Sequence, residues 1–174
     1  MRKRLRSGSL EPGYRIIEVN SRIFYVYPSG VIYRLGRQGE MHKIIGSLSK
    51  GYNLISVTTT TGTNKVPRHR MVAQAWLDDW DHTLEIDHIN RIRNDNRVEN
   101  LRVATRTQNS RNNNSKGYRW NEYQKCWIAY IEVRGVLKSC RFSTEKGAKK
   151  WRLAKEQELF GEFAPDREEN NASS

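Results

Sequence analysis

Cysteine is nearly missing from this chain: Cys126 and Cys140 are the two in 174 residues. Neither stands in a Cys-x-x-Cys pair or a Cys/His cluster at ligand spacing, so no structural zinc of the four-ligand kind is expected and both read as reduced thiols. Rigidity has to come from packing. Acidic side chains are also in short supply, 19 Asp and Glu against 31 Lys and Arg, a formal charge of +12 and a pI of about 10.0. That balance points to a polyanionic partner: DNA, RNA or an anionic membrane surface. No apolar run approaches the roughly 18 residues needed to span a bilayer, and no charged stub with an apolar core reads as a signal peptide, so the membrane is the weakest of the three.

What is present is a modular α+β pattern. A basic arm, Met1-Arg2-Lys3-Arg4-Leu5-Arg6, reads either as a phosphate-seeking tail or as a disordered terminus. From Ile16 to Val57 four runs rich in β-branched and aromatic residues (Ile16–Val19, Ile23–Tyr27, Val31–Leu35, Tyr52–Val57), punctuated by Pro28-Ser29-Gly30, Gly36, Gly46 and Gly51, predict a small antiparallel sheet. Residues 1–65 form this N-terminal β module. Arg34, Arg37, Lys43 and Lys50 are its basic groups, available to DNA or merely solvated. Thr58 to Asn64 reads as a polar turn. A helix is expected over about His69 to Leu77, with Met71, Val72, Ala75 and Trp76 on one apolar face and Trp76 in the core.

The densest chemistry lies between Glu85 and Asn109. Asp87 and His88 place an acid and a base side by side at a strand end, where the chain can twist both toward one site. A polar loop, Asn90 to Asn96, leads back through Val98, Leu101 and Val103 to a short helix from Thr105 that carries Asn109. A carboxylate and an amide oxygen are hard ligands suited to Mg²⁺ or Mn²⁺. Asp87 and Asn109 would supply that pair, His88 a base with an unperturbed pKa of roughly 6.5, and Asn100 an acceptor that orients its ring. Taken singly, each of these residues also fits a loop or turn, and His69 (packing or helix start), His82 (surface loop) and His42 (strand) read as structural.

The order Asp87-His88, Asn100-Leu101-Arg102, Asn109 resembles the metal-binding core of HNH endonucleases of the intron-encoded and phage homing type. Arg68-His69-Arg70-Met71-Val72-Ala73 resembles the short helix that precedes that core. The resemblance covers residues 66–112. It implies a ββα-metal core around one Mg²⁺ or Mn²⁺ ion, with Asp87 and Asn109 as metal ligands, His88 as general base and Asn100 orienting it. Tyr27–Tyr33 and Gly51-Tyr52 loosely resemble the modules that precede such cores, which implies a sheet lying on DNA, with Arg34 and Lys50 among its contacts.

Beyond a linker at 113–116, three strands are expected, Gly117–Trp120, Trp127–Val133 and Lys138–Phe142, with Arg134-Gly135 as a turn. A helix capped by Ser143 or Thr144 follows, carrying Ala148, Trp151, Ala154 and Leu159 and ending at Gly161. Residues 117–164 resemble the Apetala-type DNA-binding domain of plant ethylene-response factors. That resemblance implies a sheet face in the major groove, with Arg119, Trp120, Trp127, Arg134, Lys138 and Arg141 at the matching positions and Trp127 open between core and DNA. Residues 165–174 read as a disordered tail.

Together the two resemblances imply a site-preferring homing-type endonuclease that hydrolyses phosphodiester bonds of double-stranded DNA, working inside a cell, in a bacterial cytoplasm if phage-encoded. A monomer with one core would nick one strand, and a double-strand break would need a dimer or two sequential events; the choice stays open. The alternatives are a DNA-binding transcription regulator with an inactive HNH core, and an RNA-binding protein, which no RNA-binding signature favours.

Overall fold

The computed structural model describes residues 5–6, 10–112 and 115–165. Expectations for the remainder of the basic arm, for linker residues 113–114 and for the tail from 166 onward fall outside that set. The chain divides into two compact units, 1–106 and 107–174.

Ahead of the first helix, alternating apolar side chains among the described residues build two antiparallel sheets where the sequence predicts one. The larger holds β1 (Leu5–Arg6), β2 (Arg15–Val19), β3 (Arg22–Val26), β4 (Ile32–Leu35) and β5 (Glu40–Ile44), in the order β1-β5-β4-β3-β2. The smaller holds β6 (Ser47–Ser49), β7 (Tyr52–Thr59) and β8 (Gly62–Pro67), with β7 central. Asn20 and Ser21 close β2 onto β3, and Lys50 and Gly51 close β6 onto β7. All four have positive φ, the signature of the two-residue hairpin loops that match strand twist. The stretch Thr58 to Asn64 is a correction: only Thr60 and Thr61 turn, and the flanking residues are strand paired Thr58 to Thr63 and Thr59 to Gly62. Threonine is β-branched, so the segment is strand-forming although most of it faces solvent.

Pro67 sets the extended entry to α1 (Arg68–Trp76), whose Met71, Val72 and Ala75 are buried as the helical spacing predicts. Trp76 packs against the same core, donates Nε1 to the Val26 carbonyl at 3.1 Å and carries the Arg15 guanidinium 4.6 Å over its ring. One apolar core joins Phe24, Val26 and Ile32 of the large sheet, Ile55 and Val57 of β7, α1, and Ile86 and Leu101 of a two-stranded hairpin, β9 (Glu85–His88) with β10 (Leu101–Ala104). Each such fully buried side chain contributes about 1.5–3 kcal/mol, so the hairpin is held by the core it shares with the sheets.

The second unit holds α2 (Arg106–Arg111, shared across the division), a three-stranded antiparallel sheet of β11 (Tyr118–Asn121), β12 (Cys126–Val133) and β13 (Val136–Phe142), and α3 (Glu145–Phe160). The expected strands, the Arg134-Gly135 turn and the helix are all present. Thr144 caps α3 by accepting from Gly147 N, and Gly161 at φ 54° ends it. Ala129 and Ile131 of β12 and Ala148 of α3 are buried, and Phe142 meets Trp151 at a ring separation of 6.3 Å. Among the described residues no helix is long and apolar enough to cross a membrane.

Candidate active site and nucleic-acid interface

The β9–β10 register pairs Asp87 with Arg102 and His88 with Leu101. Successive strand residues leave opposite faces, so Asp87 points to the Arg102 side and His88 to the other. Asp87 is only 4% exposed. Its Oδ2 accepts from Arg102 Nε at 2.9 Å and Nη2 at 2.7 Å, a two-pronged ion pair with little water around it.

His88 is 5% exposed and faces two other rings: His69 on α1, 4.9 Å between centroids, and Tyr52 at the start of β7, at 6.1 Å. Its Nε2 lies 3.5 Å from Asn96 Oδ1. Burial lowers its pKa from the ordinary histidine value, against the opposing pull of Asn96, Asp87 and Asp95. The imidazole is therefore neutral at neutral pH, the form able to take a proton. His69 is pushed further, to about 3, by burial first and then by His88 and Arg70.

Asn100, expected at the His88 ring, is occupied elsewhere. Its Oδ1 accepts from Asn90 N at 2.9 Å and its Nδ2 donates to the Asp95 carbonyl at 2.8 Å. It thus clamps both ends of the loop between the strands, whose first amide, Ile89 N, also donates to the Asn100 carbonyl. The amide oxygen beside the imidazole is that of Asn96, a residue its sequence context marks only as a turn former. Asp95 braces the same loop. Its carboxyl is held down to about 2 by hydrogen bonds from Arg97, with Asn90 adding to them.

Behind Asn96 stands a second clamp. Arg68, buried at the start of α1, donates to the carbonyls of Gly30, Ile44 and Ile45 and to Asn53 Oδ1. This fixes the Pro28–Gly30 turn against the loop, where a Cβ on Gly30 would lie 2.7 Å from the Asn96 carbonyl oxygen. The Pro28 carbonyl accepts from Val98 N at 2.8 Å. The sequence marks no role for Arg102, Asn96, Arg68 or Tyr52, and His69 reads there as structural. Arg102 is recoverable from the strand register; the others depend on tertiary packing.

Asn109 sits on α2, half-buried, in the second unit. In that unit the register aligns Arg119, Ile128 and Arg141 in one row across the sheet. They leave the face opposite the buried Ala129 and Ile131. A cleft of about 680 Å³ is lined by Arg111, Arg119, Ile128, Tyr130 and Ser139. Trp120, Trp127 and Lys138 leave the other face, with Phe142 and α3, and Arg134 occupies the hairpin turn. In the first unit Arg34 and Lys50 are exposed.

Residues 66–111 match the family model described as HNH endonuclease. No curated protein matches the chain. A solved structure described as "DNA binding and cleavage by the HNH homing endonuclease I-HmuI" is similar at a TM-score of 0.46 and 20% identity, over 87% of this chain and 84% of that one.

Proposed function

We propose that the chain is a site-preferring DNA endonuclease of the HNH homing type, hydrolysing phosphodiester bonds with one divalent ion. The observation that carries this reading is a buried, neutral His88 next to an ionic Asp87 on a clamped hairpin, within residues that match the HNH endonuclease model. His88 takes a proton from the attacking water. Asn100 keeps the loop closed, and Asn96 presents its amide oxygen to the imidazole.

The donor set fits a hard cation. Asp87 offers a carboxylate, and Asn109 would add an amide oxygen. Among the described residues no group of three or more His, Cys, Asp or Glu could hold an ion alone. Magnesium and manganese suit such a sparse set, because they keep waters and share substrate phosphate oxygens. When bound, the ion would stabilise charge on the phosphate and the leaving oxygen. Arg102 holds the Asp87 carboxylate in its rotamer for that task.

The surplus of basic side chains, 31 Lys and Arg against 19 Asp and Glu, supports a nucleic-acid substrate. We assign the first unit's Arg34 and Lys50 to phosphate contacts. In the 117–164 module, with the Apetala-type role its sequence resembles, Arg119 and Arg141 have the strongest claim to base or phosphate contact, since they share the sheet face away from Ala129 and Ile131. Trp120, Trp127, Lys138 and Arg134 would act at its margins.

The test is incubation of the purified full chain with supercoiled plasmid and with RNA, with Mg²⁺, with Mn²⁺ and with chelator. Divalent-dependent nicking of DNA alone supports the reading. Tight DNA binding with no cleavage in either ion would leave a regulator carrying an inactive core, and cleavage of RNA alone would replace the substrate.

A further inference from the structure

The loop between β9 and β10 carries an arginine that the chemistry above leaves unused. Arg93 stands in the Ile92–Asp95 turn, where Asp95 N donates to the Ile92 carbonyl at 2.9 Å and Ile92 N to Asn90 Oδ1 at 2.8 Å. Its backbone is set by the loop that Asn100 clamps. Its side chain is exposed, yet it is held. The guanidinium lies 5.0 Å over the face of Tyr52, and Nη1 donates to the Lys50 carbonyl at 3.1 Å. The stem passes beside Gly51, where a Cβ would lie 3.4 Å from Arg93 Cδ. Tyr52 in turn has its ring centroid 6.1 Å from that of His88. The charge of Arg93 is felt at that imidazole, where it opposes protonation.

This hold uses one side of the guanidinium. Arg68 is bound to the carbonyls of Gly30, Ile44 and Ile45 and to Asn53, Arg70 to those of Leu84 and His82, and Arg97 to Asp95 and Glu99. Among the described residues, no acceptor meets Nε or Nη2 of Arg93. An exposed arginine ordinarily loses its rotamer freedom when it binds; here the Tyr52 stack and the Lys50 bond remove that freedom beforehand, so an oxyanion meets a preset fork. A planar N–H fork suits a phosphate, whose oxygens accept charge-assisted hydrogen bonds. One aromatic ring separates the fork from His88, which puts that phosphate at or next to the reacting one. We infer that Arg93 is a phosphate-binding residue of the site, holding a phosphate of the cleaved strand within one nucleotide of the bond at which His88 acts. Its place beside that bond rests on the nuclease reading; the phosphate contact does not.

The experiment compares wild type, Arg93→Gln and Arg93→Lys in the full chain, by equilibrium binding to duplex DNA in chelator over a range of salt. The duplexes are centred on the mapped nick or, where nothing is nicked, on the tightest-bound fragment. They carry one neutral methylphosphonate at each phosphate in turn. Gln should bind roughly 10- to 100-fold more weakly, the scale of a lost hydrogen bond to a charged group. Its slope of log affinity against log salt should be shallower by about 0.9, one phosphate contact fewer. Lys keeps the charge without the fork and should keep the wild-type slope with part of the affinity. One methylphosphonate beside the nick should weaken wild type by a similar factor and leave Gln unaffected, because the contact it removes is already gone. A Gln variant that binds with wild-type affinity and salt slope would overturn the inference. So would one sensitive at every phosphate to which wild type is sensitive, the pattern of a residue that only braces the loop. A matching phosphate more than one nucleotide from the nick would overturn its placement. If wild-type protein cuts no DNA, the nuclease reading fails, and the methylphosphonate scan still decides whether Arg93 holds a phosphate.

Discussion

Replacing Arg102 by methionine leaves the Asp87 carboxylate, 4% exposed, without the two-pronged guanidinium that faces it at 2.7 and 2.9 Å. Methionine preserves much of the arginine stem, so lost packing contributes little and the effect isolates the charge. Breaking a buried pair by removing one partner costs roughly 3–5 kcal/mol, because the remaining charge stays desolvated. For a domain of this size each kcal/mol moves the unfolding midpoint by about 4 °C or more. The metal-free first unit should therefore unfold on the order of 10–20 °C lower. The assay is thermal and urea unfolding of the wild type, Arg102→Met, Asp87→Asn and the double variant at pH 7. The double variant should be more stable than either charge-removing change predicts by addition, with a coupling of about 3 kcal/mol. A methionine variant within about 1 kcal/mol of wild type, or a coupling near zero, would refute the view of Asp87 as a buried charge dependent on Arg102.

Three further outcomes follow from the same geometry. Asn100→Ala removes two hydrogen bonds, to Asn90 N and the Asp95 carbonyl, and should cost about 2–3 kcal/mol. Amide exchange at Asn90 should accelerate with it, and unchanged exchange would contradict the clamp. His69, at about 3 in the folded chain against 6.5 unfolded, contributes stability that is fully present above pH 6.5 and is lost as pH falls toward 3. Urea unfolding should weaken by up to about 1.4 kcal/mol per pH unit across that window, and His69→Phe should flatten the slope. Gly30→Ala puts a Cβ at φ 80° and 2.7 Å from the Asn96 carbonyl oxygen, and should cost about 2 kcal/mol or more by urea unfolding; a neutral effect would show that the turn and loop are not in register.

The site was legible in the sequence wherever chemistry depends on local order. Asp87 and His88 are neighbours in the chain, and their residue types announce an acid and a base. Asn100 was legible as a residue of the site but not in its contact, because a loop closes through partners that only tertiary packing selects, here Asn90 and Asp95 instead of the imidazole. Asn96 and His69 were hidden for the same reason: one reads as a turn former and the other as a helix residue until α1, β7 and the hairpin meet. The start of strand β8 is not legible, because Thr58 to Asn64 has no buried face and so no apolar alternation, although its threonines favour extended backbone. In the second unit, the period-two alternation of a strand puts Trp127 on the face of Ala129 and Ile131. The burial of the latter two places all three on the face that meets α3, leaving Arg119 and Arg141 on the other.

The central claim is that His88 is the group that takes the proton. It is tested most directly by the single-turnover nicking rate of His88→Ala on duplex DNA with Mg²⁺, measured beside its DNA affinity. The rate should fall by about 10²- to 10⁴-fold at unchanged affinity. A variant that binds and nicks like the wild type would contradict it.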